Sequence, residues 1–327
     1  MVELMFYELL LAVFSVLIYP GLLFLVVVGL LTQWYVRKLI GRLQNRIGPK
    51  YVGPLGILQP FADVIKLVFV KEELSFRGRL DRLLILFMVL GLSAISSAML
   101  FTPISPYVIR GAYDVIAFIY LMLWSTIAFA VIGLSLSNPF TVVGSSRFLT
   151  QILFAEPALV TSLLAAVMVL TRDSPIPLSI YSSAVSLRAD VLVAMVLAIS
   201  FISFFLATIA KTLIKPFDIP EAETELAGGL LAELSGPALG LAIILHYSEI
   251  AFLTLIATIV FLGGPYPFNY GDFLGIVVFA VKYLVLLTLI AVIKASVGRI
   301  RIEQATSMMI KYVLSTSVVA LAIATIL

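Results

Sequence analysis

Long apolar runs, separated by short polar stretches, dominate this sequence. About 20 apolar residues cross a bilayer as a helix. The runs predict eight spanning helices, over 9–36, 83–102, 113–137, 151–171, 187–210, 237–262, 273–293 and 306–327. The first is long, and Pro20 is expected to kink it. The segment before it carries Glu3 and Glu8 instead of a basic start, so it reads as a span rather than a cleaved signal. The longest polar connection, 37–82, is too small for a domain. The pattern defines one all-α integral membrane domain over 1–327. An amphipathic helix and an acidic loop are expected on its cytoplasmic side.

Charge sets the orientation. The connections 37–82, 138–150, 211–236 and 294–305 hold 16 of the 21 Lys and Arg residues. The positive-inside rule puts these four connections in the cytoplasm and both termini outside, in a plasma-membrane protein. Composition agrees: 62% of residues are hydrophobic and 12% are charged, more apolar than a soluble core requires. There is no cysteine and only one histidine, His246. That leaves no thiolate zinc site, no cysteine-held cluster and no histidine-rich metal centre in this chain. A net charge of +3 gives no reason to invoke nucleic acid.

Ionisable groups inside spans are costly and tend to face protein or water. Glu156 lies in span four, preceded by Arg147 and Gln151. His246 and Glu249 lie three apart in span six and share a helical face. Span seven carries Lys282 near its middle. Glu156, Glu249 and Lys282 are too deep to reach the interface easily and read as a buried polar network able to relay protons. For His246 a hydrogen-bonded neutral imidazole is an equal alternative. Asp114, Lys294 and Lys311 lie near helix ends and read as snorkelling side chains. The Gly236–Gly240 and Gly271–Gly275 pairs read as helix packing or turns.

Two connections stand out. Residues 41–71 begin with Gly-Pro turns and become helical from Leu55, with Pro60 in the first turns. Leu58, Phe61, Ala62, Ile65 and Phe69 share one face, and Gln59, Asp63 and Lys66 another. Ten cations in 37–82, Arg37 among them, suit either anionic lipid or a soluble docking partner. The second connection, "KPFDIPEAETELAGGLLAELSG", holds Asp218, Glu221, Glu223, Glu225 and Glu233 against one cation, Lys215. Its apolar residues argue against a solvated loop. A half-buried carboxylate cluster facing the cations of 37–50 is expected, where mutual repulsion would retain protons.

"GRLQNRIGPKYVGPLGILQPFADVIKLVFVKE", "RFLTQILFAE" and the acidic stretch resemble the membrane subunit beneath the quinone site of respiratory complex I, the subunit 1 family. Counterparts occur in energy-converting membrane-bound hydrogenases and related archaeal complexes. The resemblance covers all eight spans. It implies a non-catalytic subunit without its own cofactor, bound to a peripheral arm that carries iron–sulfur clusters, and in hydrogenases nickel–iron. Antiporter-like membrane subunits would adjoin it. It assigns Asp218, Glu221, Glu223, Glu225 and Glu233 to the family's cytoplasmic acids. Docking falls to Arg42, Gln44, Asn45 and Arg46, with Gln59, Asp63 and Lys66 on the following helix, and the Arg-x3-Gln-x4-Glu pattern to Arg147, Gln151 and Glu156. This sequence departs from quinone-using members. Lys211, Thr212, Leu213 and Ile214 replace their Glu-Thr-Asn-Arg, Val36 replaces an acid, and His246 a span-six glutamate. The departures favour the ferredoxin-linked branch, a hydrogenase or a sulfur-reducing relative. A quinone-site subunit of an NADH- or F420-type complex is the alternative. A stand-alone transporter lacks the internal repeat often seen in that class, and an intramembrane enzyme lacks a Gly-x-Ser-x-Gly nucleophile motif.

Overall fold

The computed structural model describes residues 2–71, 80–136, 138–186 and 190–327, without the side chains of 2–4, 80, 81, 134, 223 and 224. Residues 187–189 of the expected fifth span, and 72–79 of the basic connection, thus lie outside the described residues. So does the side chain of Glu223. Among the described residues, eight helical stretches are long and apolar enough to span a membrane, and no strand occurs.

The expected first span is two helices, α1 (Val2–Leu17) and α2 (Leu22–Leu43). Pro20 lies in the break between them, where a missing N–H does least damage. α2 alone is 22 residues long, enough to cross. The chain then turns through Gly53, at φ 73°, into α3 (Gln59–Ile65) and a π-helical turn over Lys66–Val70. Pro60 and Val64 form the buried face of α3, while Leu58, Ile65 and Phe69 of the expected apolar stripe are exposed. Gly240 lets the π turn approach the helix beneath, because a Cβ there would meet Val68. Gly275 likewise sits against the Asn269 carbonyl. One glycine of each pair, Gly240 and Gly275, therefore marks a close contact, while a Cβ at Gly271 would meet nothing within 4 Å.

α4 (Leu80–Ala98) and α5 (Asp114–Ser135) form the next antiparallel pair. α6 (Pro139–Leu170) starts twelve residues before the expected fourth span. Asn138 caps it by accepting a 3.0 Å bond from the Phe140 N–H, and Pro139 occupies a first-turn position that needs no donor. Arg147 is therefore helical. Asp114 does not snorkel: it accepts bonds from Ser179 Oγ (2.7 Å) and the Ile180 N–H (2.8 Å). That contact ties α5 to α7 (Ile180–Val185).

α8 (Val191–Lys211) leads through the acidic stretch, with its short α9 (Glu223–Leu226), to α10 (Gly236–Val260). α11 (Phe273–Ser296), α12 (Ile302–Met308) and α13 (Ser315–Ile326) complete the chain. A π-helical stretch joins α12 to α13. α10 is the central helix: 78% of its spanning window is buried, against 22% for α11. It packs on α2, α4 and α11, while α6 packs on α5, α8 and α13.

Candidate functional site: a buried lysine between two carboxylates

Four helices converge on Lys211, the last residue of α8. Its Nζ lies 2.8 Å from Glu156 Oε1 of α6 and 3.3 Å from Glu249 Oε1 of α10. It also donates to the Met122 carbonyl of α5 at 3.3 Å. Ser125 of α5 donates to Glu249 at 2.6 Å, and Thr126 makes a very short bond to Glu156. The side chains of Lys211, Glu249 and Glu156 are only 1%, 3% and 10% exposed. Two carboxylates thus share one ammonium away from bulk water. Removing Lys211 would strand two carboxylates in a low-dielectric interior, whereas removing one carboxylate would leave a single ion pair.

Local sequence explains the position. A cation suits a helix C-terminus, where carbonyl dipoles point outward. Beyond it the chain unwinds, with Leu213 at φ 49°. Gln151 holds this turn by donating to the Ala210 carbonyl at 2.6 Å and the Phe217 carbonyl at 3.1 Å. Arg147 lies one turn before Gln151 on α6 and pairs with Glu225 at 2.7 Å. From Arg147 to Glu156, α6 rises by about 13 Å. It thereby connects the acidic stretch to the buried centre. Gln151 Oε1, Glu156 Oε2 and Thr208 Oγ1 are buried without a partner among the described residues.

Sequence reasoning placed Lys211 only as a departure from a family pattern and in a cytoplasmic connection. The structure places it at the centre. The available signal was a charge balance: two deep carboxylates require a cation, and Lys211 closes the helix between their spans.

The other candidates distribute as follows. His246 lies one turn from Glu249 on the same α5–α10 seam, edge-on to Phe129 at 6.1 Å, and takes no part in the ion-paired centre. Lys282 is not brought to that centre. It donates to the Leu262, Gly264 and Tyr266 carbonyls at 2.8–3.0 Å and closes the turn after α10. Among the described side chains, Asp218, Glu225 and Glu233 do not gather into one cluster facing 37–50. Asp218 takes a two-pronged bond from Arg299 at 2.9 and 3.0 Å, Glu225 takes Arg147, and Glu233 is exposed. Glu221 and Asp218 lie within electrostatic reach of Lys294. For Asp218 and Glu225 the partners differ from the cations of 37–50, because α6 and the chain before α12 supply Arg147 and Arg299, which linear proximity did not suggest.

The same membrane face carries a polar groove of about 670 Å³, lined by Arg37, Arg46, Lys50, Lys215 and Lys294. Gln44, Gln59 and Asp63 also line it. Asp63 accepts from Arg37 at 3.3 Å and from Gln59 at 2.8 Å. Arg42, Asn45 and Lys66 lie outside the groove, Arg42 and Lys66 being exposed beside it. Lys38 pins the Gly-Pro turns through the Pro49 and Leu55 carbonyls. Among the described residues no three His, Asp or Glu side chains form a metal-binding group.

The fold and site define a multi-pass, all-α membrane protein with a buried ion-paired centre below a basic face. The NADH dehydrogenase family model matches residues 15–325, and the chain belongs to this family, that of the first membrane subunit of complex I. It is 32% identical to an NADH-quinone oxidoreductase subunit of Dehalococcoides mccartyi over 311 residues, covering 92% of this chain and 82% of the relative. It is 30% identical to the NADH-ubiquinone oxidoreductase chain 1 of Paracentrotus lividus over 291 residues, covering 87% and 86%. Its fold matches a chain of the membrane-bound sulfane sulfur reductase, an archaeal respiratory membrane complex. The TM-score is 0.79 at 23% identity, over 97% of this chain and 99% of the other.

Proposed function

We propose that this chain is the membrane anchor and coupling subunit of a complex I-like, ion-translocating redox complex. One observation carries the reading: Lys211 is buried between Glu156 and Glu249. With all three groups ionised, the centre holds one excess negative charge in dry surroundings, and one added proton neutralises it. Its energy therefore responds to any shift in local field. Gln151 and Arg147 link it mechanically to the 212–235 stretch, against which a redox arm would press.

The basic groove and the exposed cations beside it fit a peripheral arm bearing iron–sulfur clusters, and in a hydrogenase nickel–iron. Antiporter-like subunits would carry ions onward, with lipid around the remaining faces. The excess of cations supports a cytoplasmic groove, with both termini outside the plasma membrane. Family membership favours this subunit role over a stand-alone transporter. Lys211 and Ile214, standing in for an acid and an arginine, favour the ferredoxin-linked branch, a membrane-bound hydrogenase or a sulfur reducer. The fold likeness to the sulfane sulfur reductase is in keeping with that. The second reading is a quinone-site subunit, favoured by the names of the relatives at 30–32% identity. The groove's charged and amide lining suits an apolar quinone tail poorly.

The test is Glu249→Gln in the assembled complex, reconstituted into vesicles. Ion uptake is expected to fall to background while electron transfer to an artificial acceptor persists. Unchanged uptake would remove the centre from the coupling path.

A further inference from the structure

The basic groove holds more cations than the chain neutralises. Two glycines build its wall. The Arg46 N–H donates to the Gly41 carbonyl at 2.8 Å, and a Cβ on Gly41 would lie 2.9 Å from the Gly48 nitrogen. The 44–51 turn therefore folds back on the end of α2 and brings Arg46 and Lys50 to the groove that Arg37 lines. Lys215, just past α8, and Lys294, near the end of α11, join them. Among the described residues Asp63 is the one carboxylate in the lining, and its two oxygens already accept from Arg37 and Gln59. Arg46, Lys50, Lys215 and Lys294 make no ion pair among the described residues. Lys294 lies within electrostatic reach of Lys215 and Arg37 as well as of Glu221 and Asp218, and Asp218 is already taken by Arg299.

Three observations select the occupant. The excess of positive charge calls for an anion. The lining is rich in donors, with ammonium and guanidinium groups beside the Gln44 amide and the Tyr51 hydroxyl. A phosphate offers several charged acceptor oxygens to such a set, and Arg and Lys are the side chains that bind it. Ile47 lines the groove at 77% exposure. A free phosphate would leave that side chain in water, whereas a lipid would cover it. Finally, Arg37 lies one turn beyond Trp34 and Tyr35 on α2, where aromatic rings mark the membrane interface. Basic pockets between spanning helices at this level suit anionic headgroups.

We propose that the groove binds the phosphate headgroup of one anionic membrane lipid. Lys294 and Lys215 hold the phosphate oxygens, and the glycerol end covers Ile47. The site does not depend on the redox reading. Arg42 and Lys66, exposed outside the groove, stay available to a docking arm. Through Lys215, a bound headgroup would tie the start of the acidic stretch to the end of α11.

Two measurements on the full chain test this, with dioleoyl phosphatidylglycerol as the probe. In detergent, native mass spectrometry is expected to find one such lipid retained per chain. It should be preferred to dioleoyl phosphatidylcholine, which has the same chains but no net charge. Lys294→Gln and Lys215→Gln should each lower that preference several-fold, while Lys311→Gln, a cation outside the lining, should preserve it. The second measurement uses the parent chain alone and needs no variant to fold. Phosphatidylglycerol with a photoreactive headgroup, in phosphatidylcholine vesicles, should label the 44–51 turn. No preference for the anionic lipid, a preference unchanged in both groove variants, or labelling spread evenly over the basic face would overturn the site. Tight binding of inorganic phosphate in equilibrium dialysis, without lipid preference, would overturn the lipid in favour of a free phosphate. Displacement of the lipid by polyglutamate as readily as by excess phosphatidylglycerol would overturn it in favour of an acidic protein segment.

Discussion

Lys211, Glu156 and Glu249 show how one side chain acquires meaning from its neighbours. An ammonium at a helix end would ordinarily reach for water. Here two carboxylates and a carbonyl hold it inside. Glu225 shows the surface counterpart. The hydrogen bond from Arg147, aided by that residue's charge, holds the Glu225 carboxyl below the usual carboxylate range. A depressed folded-state pKa stabilises the fold above the unfolded value, and that contribution disappears as pH falls through the folded value. Because Glu225 is exposed, the contribution is small. Arg147→Ala is predicted to move the Glu225 titration up towards an ordinary carboxylate, about 4.3, and to flatten acid unfolding slightly. Isotope-edited infrared titration reads this directly, and an unmoved Glu225 would contradict the pairing. The sequence put Gln151 and Glu156 in span four but left Arg147 in the connection before it, and it did not give their partners, which come from α9, the unwound turn and α8.

Elements meet where side chains are absent. Gly29 of α2 lies against the α10 backbone: a Cβ there would come within 2.8 Å of the Ser248 nitrogen and 2.9 Å of the Tyr247 carbonyl carbon. Gly29→Leu is therefore predicted to force α2 from α10 and destabilise the chain by about 1–3 kcal/mol or more. Gly111→Ala, with nothing within 4 Å, should be neutral. Thermal unfolding midpoints of the two variants in detergent check the contrast. Hydropathy marks eight long apolar helical stretches among the described residues but misses the break between α1 and α2 and the start of α6. It detects the hydrocarbon-crossing part of a helix, whereas Gly144, Ser145 and Ser146 extend this one as a polar segment. The Asn138–Pro139 start signal marked the true beginning.

For the whole molecule, the basic face is the main feature left for a partner. Arg42 and Arg46 are exposed there. Reversing both, Arg42→Glu with Arg46→Glu, is predicted to reduce co-purification of the peripheral arm and make it more sensitive to salt. Retention equal to that of the parent at high ionic strength would assign docking elsewhere.

The sequence by itself determined that this is a helical membrane protein with a basic face. In hydrocarbon every backbone polar group must be satisfied locally, so apolar length reads almost directly as spanning helix. Its motifs also marked the family and the acids of the 215–236 stretch. Only the tertiary structure decided which charges meet. Helical periodicity fixes where a residue sits around its own axis, not which helix faces it. Lys211, Arg299 and Asp114 found their partners through packing between elements remote in sequence, and Lys282 found backbone carbonyls instead of a buried carboxylate.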